Sequence, residues 1–166
     1  MEAELKSICE TLAGRTLPRW RELPDLELYM DQVTSLVCRY LQDDRELTAS
    51  MVNNYGKHKV MPAPVRKKYT REHLAYLIVI CTLKPVLPIS TIRRMMEDEL
   101  AVQDLPTFYD AFCTLFEDSC RETAARHLKN ESLSQAGTLC RAALCAKAEQ
   151  SLALQMAAAQ PTDQTE

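Results

Sequence analysis

The 166-residue chain carries 20 Lys and Arg against 23 Asp and Glu, for a net charge of −3, and 46% of its residues are hydrophobic. That fraction supports a packed core and excludes a disordered chain, while only three glycines tilt the fold towards helix. The charge is segregated: residues 57–96 hold nine Lys or Arg and one Glu (+8), residues 1–56 come to −4, and residues 97–166 come to −7. Segregation of this kind implies a partner of opposite charge for the middle of the chain.

Taken in order, EAELKSICETLAG places Leu5, Ile8 and Leu12 on one helical face, with Gly14 as a stop. RTLPRWRELPDL reads as an extended connector fixed by Pro18 and Pro24 and pinned to the core by Trp20. Asp25 is placed to cap an amphipathic helix whose inner stripe is Leu26, Met30, Val33, Val37 and Leu41. QDDREL is a polar turn. Thr48 can cap the next helix, ASMVNNY, with Met51, Val52 and Tyr55 inward and Ser50, Asn53 and Asn54 outward. Asn is a poor helix former, so the adjacent pair either marks a fraying end before Gly56 or presents amide groups suited to base edges and phosphates.

MPAPVRKKY cannot be helical, because Pro62 and Pro64 favour extended backbone before them. It is a loop or short ribbon carrying Arg66, Lys67 and Lys68. Thr70 caps a helix to Lys84, apolar from Leu74 to Leu83. Ser90 caps TIRRMMEDEL after a turn bracketed by Pro85 and Pro88. A longer helix follows from about Thr107 to Lys129, with Phe108, Phe112, Leu115 and Phe116 as its apolar face. Another starts at Ser132, where S-L-S-Q forms a capping box, and the tail QPTDQTE is expected to be disordered. The chain therefore divides into an N-terminal helix and connector (1–24), a compact helical domain (25–100), a helical hairpin suited to dimerisation or regulation (101–160) and a tail (161–166).

No apolar run approaches a membrane span, and MEAELKS offers no apolar signal region, so a cytoplasmic protein with no membrane association is expected. The seven cysteines are odd in number, lack a C-x-x-C pair and lie in helical patterns, which suits buried free thiols. Three isolated histidines (His58, His73 and His127), with no Gly-rich phosphate loop, speak against an enzyme. No metal or other cofactor is expected.

From LTASMVNNYGKHKVMPAP through VRKKYTREHLAYLIVICTLKPVLPISTIRRMM, the chain resembles the DNA-binding head of the MerR family. It resembles more closely an uncharacterised bacterial group carrying that element. Tyr55 matches the recognition-helix Tyr, Val60-Met61 the hydrophobic pair after the turn, and Arg66 to Lys68 the wing. Tyr69-Thr70 close that wing, and Ile89 and Ile92 fill the last turn. The chain departs from the family pattern at Asn53, Gly56 and Lys59, where the family carries an Arg, a Glu and a helix-ending Gly. The resemblance covers roughly residues 25–100 and implies an all-α winged helix-turn-helix bundle followed by a helical hairpin. It implies double-stranded DNA as partner, a transcription-regulating role and a homodimer, with no effector specified. Candidate base contacts are Ser50, Asn53 and Asn54. Candidate phosphate contacts are Lys57, Lys59, Arg66, Lys67, Lys68 and Arg71, and Tyr69 lies beside them as either a base-stacker or a packing anchor. The alternative is a non-enzymatic interaction module whose basic face docks an acidic protein.

Overall fold

A computed structural model describes residues 2–42, 46–129 and 135–159. Among these, the fold is all-α, with seven helices: α1 (Glu2–Ala13), α2 (Met30–Leu41), α3 (Ala49–Lys57), α4 (Arg71–Leu83), α5 (Ile89–Leu100), α6 (Leu105–Leu128) and α7 (Gln135–Ala159). Two compact units result, Thr16–Asp118 and Met1–Arg15 with Ser119–Glu166, so α6 contributes its first half to one and its end to the other. The larger unit is wider than residues 25–100 at both ends, because the connector and the start of α6 close over its core.

α4 is the centre of that unit. Leu74, Ala75, Leu77, Ile78, Val79 and Ile80 are all fully buried, and a helix apolar on every side must be surrounded. α2 packs on it with Val33 and Val37, and α3 and α5 add Val52, Tyr55, Ile92 and Met96. Thr48 caps α3 as expected, its hydroxyl accepting the Met51 N–H at 3.3 Å.

Several helix starts and faces differ from the sequence reading. α2 begins at Met30 rather than after Asp25, and Leu26 is exposed. Leu28 and Tyr69 exchange two backbone hydrogen bonds of 2.8 Å in an antiparallel bridge, which holds the chain extended until Tyr29. The Tyr29 N–H then donates to Gln32 Oε1 at 2.9 Å. α5 starts directly after Pro88, whose carbonyl accepts the Thr91 and Ile92 N–H groups, so Ser90 lies in the first turn instead of capping it. On α6, Tyr109 and Cys113 are fully buried, whereas Leu115 is 66% exposed.

The connector is not simply extended: Trp20–Glu22 form one 3₁₀ turn. Trp20 packs edge-on to Tyr109, and Arg19 fastens the segment to α6 through the Asp110 carbonyl (2.9 Å), the Thr114 hydroxyl (2.9 Å) and Glu117 (2.7 Å). The Cys113 thiol donates to the Pro18 carbonyl, and burial pushes its pKa up to about 11, so it stays protonated at neutral pH and is no nucleophile.

In the smaller unit, α1 turns Cys9 inward and leaves Ile8 exposed. Arg126 on α6 pairs with Glu149 on α7. All seven cysteines are free thiols. The S-L-S-Q capping box, residues 43–45 of the QDDREL turn and the tail lie outside the described residues.

Gly56 sits inside α3, where a Cβ would meet nothing within 4 Å. Helical glycine costs roughly 0.5–1 kcal/mol relative to alanine. Gly56→Ala is therefore expected to raise the unfolding free energy by about that amount in urea titration.

Candidate functional site

The outward face of α3 is polar. Ser50, Asn53, Asn54 and Lys57 are all exposed, and at 3.6 residues per turn they fall within an arc of about 100°. The opposite face carries the buried Val52 and Tyr55. α3 then ends in a Schellman turn: the Val60 N–H reaches the Tyr55 carbonyl at 2.9 Å and the Lys59 N–H reaches the Gly56 carbonyl at 3.1 Å. The residue that must be left-handed in this turn is Lys59, with φ 55°.

Beyond Pro62 and Pro64, Val65 and Lys68 pair across a two-residue turn, the Lys68 N–H donating to the Val65 carbonyl at 2.9 Å. Its central residues, Arg66 and Lys67, have φ of 52° and 62°. Tight hairpin turns with both central residues left-handed favour Asn-Gly, because a side chain there clashes with the following carbonyl. Each of these three cations therefore holds a position that glycine would occupy at roughly 1 kcal/mol less cost. Gln42 is the only other non-glycine residue with positive φ among those described. The chain thus has cations where glycine fits best, and a glycine at position 56 where none is required.

Lys57, Lys59, Arg66 and Lys67 are exposed, and their side chains make no hydrogen bond or ion pair among the described residues. Lys68 differs. Its ammonium donates to Glu27 at 2.7 Å and lies 5.5 Å from the Tyr29 ring centroid, and the bond to Glu27 raises its pKa. Arg71 is committed to the connector: Nε donates to the Leu23 carbonyl at 3.0 Å, the guanidinium lies 3.6 Å from Asp25, and it stacks over Trp20. Tyr69 is 3% exposed, edge-on to His73 with centroids 5.4 Å apart, so its ring is a packing anchor and presents no stacking face to solvent. The exposed set is therefore Ser50, Asn53, Asn54, Lys57, Lys59, Arg66 and Lys67. Sequence reasoning had no means to assign the partners of Lys68 and Arg71, since Glu27 and Asp25 lie more than forty residues away.

His73 supports the base of this loop. Its Nδ1 accepts the Thr70 N–H at 3.0 Å, which closes the first turn of α4 and requires the unprotonated nitrogen. Burial lowers its pKa below the ordinary 6.5, with the backbone at Ala63 and Pro62 and the charge of Glu72 acting in the opposite direction. The folded state therefore binds this proton less readily than the unfolded chain. The stability so contributed is present above pH 6.5 and is lost as pH falls through the lowered folded value. Thermal melts of wild type are expected to fall more steeply below pH 6.5 than those of His73→Gln; parallel profiles would contradict this.

The fold and surface together define a helical domain presenting a polar helix face next to a proline-stiffened, cationic turn. The family model described as a domain of unknown function (DUF1836) matches residues 18–112, more than half the chain, and the protein belongs to that family. No curated protein and no solved structure matches it. No helix among the described residues is long and apolar enough to cross a membrane.

Proposed function

We propose that the chain is a non-enzymatic DNA-binding protein, a cytoplasmic transcriptional regulator that lays α3 and the 65–68 turn on duplex DNA. On this reading α2 and α3 form a MerR-like helix-turn-helix and residues 62–70 are its wing. Ser50, Asn53 and Asn54 face base edges, and Lys57, Lys59, Arg66 and Lys67 face phosphates. Lys68 and Arg71 hold the wing to the rest of the domain, and Tyr69 anchors it from inside.

The observation that carries the reading is the backbone strain at Lys59, Arg66 and Lys67. A solubilising charge can sit anywhere on a surface, and nothing about solubility calls for a left-handed residue. Strain retained at unpartnered cations points to a geometry selected for an anionic ligand. The acidic remainder of the chain suits selective rather than indiscriminate attraction. Exposed Leu139, Leu144, Leu152 and Met156 on α7 support assembly as a homodimer, which would read two half-sites.

The experiment is a selection from pooled genomic duplex fragments. Retention of particular fragments, displaced by unlabelled duplex of the same sequence more readily than by poly-glutamate, is the expected result. Equal displacement by both competitors would favour an acidic protein surface as the partner.

A further inference from the structure

Beside the end of α3 lies a groove of 460 Å³, formed with residues 59–63, Tyr76 of α4 and one face of α5. Its floor is apolar: Val60, Met61 and Met96 are buried, and Leu100 adds to the lining. Its edge is cationic. Lys57 and Lys59 line it with no side-chain partner among the described residues, and Arg93 is neutralised by Glu97 at 2.8 Å. An apolar trough with two unpaired ammonium groups on its rim is complementary to a molecule with an apolar body and one anionic end. The volume lies in the range that takes a small molecule rather than a folded partner.

The geometry points to this groove as a binding site for a small apolar carboxylate, whose anionic head meets Lys57 and Lys59 while its body lies over Met61 and Met96. Two features of the chain agree with this assignment. Lys59 is held in its left-handed conformation at the groove edge. Gly56 leaves the mouth open, since no atom stands within 4 Å of where its Cβ would be. The site exists whether or not the protein binds DNA. If the proposed function holds, one consequence rests on it: the carboxylate occupies two phosphate-binding lysines and so acts as an anti-binding effector.

Calorimetric titration of the full chain with octanoate, 1-octanol and octylammonium tests the assignment, with octanoate expected to bind saturably and at least tenfold tighter than either. Gly56→Leu fills the mouth from a helical position where leucine is favoured over glycine. It is expected to weaken octanoate at least tenfold while melting at or above the wild-type temperature. Lys59→Gln is expected to remove the preference for octanoate over octanol. Equal affinity for all three probes, no saturable binding, or unchanged binding in Gly56→Leu would overturn the proposal. Octanoate binding in calorimetry with no duplex retained at any salt would defeat the DNA reading and leave the groove assignment standing.

Discussion

Replacing Arg66-Lys67 with Asn-Gly is expected to make the protein more stable and its grip on DNA weaker. Both substitutions place residues preferred for a left-handed turn where φ is 52° and 62°. Relief at the two positions should add about 1–2 kcal/mol to the unfolding free energy, a rise of several degrees in Tm. The same change removes two cations whose side chains have no partners among the described residues. Each phosphate contact contributes roughly 0.9 to the salt slope, so the log-log slope should flatten by about 2. At about 0.1 M salt that corresponds to a loss of roughly 10- to 100-fold in affinity. Opposite signs in the two measurements separate a functional strain from a neutral one. A variant that melts higher and binds DNA as wild type does would show that the turn is not on the phosphate backbone.

Tyr69→Ala is expected to cost about 3–5 kcal/mol of stability, the range for deleting a large buried aromatic. The ring is 3% exposed and packs edge-on against His73, while the Tyr69 backbone carries both hydrogen bonds to Leu28. A cavity here would undermine the turn, the start of α4 and the segment before α2 together. For a domain with a total stability of about 5–15 kcal/mol this is a large fraction. Chemical denaturation checks it. An unchanged midpoint with abolished DNA binding would instead make Tyr69 a surface contact.

Local signals in the sequence were sufficient wherever the determining residues were neighbours. Thr48 with the Val52 and Tyr55 spacing located α3, and the apolar run from Leu74 to Leu83 located the buried α4. Pro62 and Pro64 excluded helix from the cationic loop. The start of α2 was not legible, because the Leu28–Tyr69 bridge that delays it joins residues 41 apart. The face of α6 was misjudged at Leu115 because the apolar residues of that helix spread over an arc of about 160°, and only packing shows that Tyr109 and Cys113 point inward. The candidate site divides in the same way. Ser50, Asn53 and Asn54 follow from helical periodicity alone, whereas Lys57 joins their face because α3 runs past Gly56, two residues beyond the expected end at Tyr55. Lys68 and Arg71 look identical to Lys67 in sequence, yet Glu27, Asp25 and the Leu23 carbonyl engage them. Arg19, which ties the connector to α6 through Glu117, carried no sequence signal at all.

On the proposed reading, four cations without partners among the described residues, Lys57, Lys59, Arg66 and Lys67, meet the phosphates of duplex DNA. Fluorescence anisotropy of the full chain on a selected duplex, repeated across salt concentrations, measures that number directly. The expected result is a log-log slope of about −3 to −4 per protomer, unchanged when Lys68 is replaced by glutamine because Glu27 already holds it. A slope near zero, or no binding even at low salt, would contradict the claim.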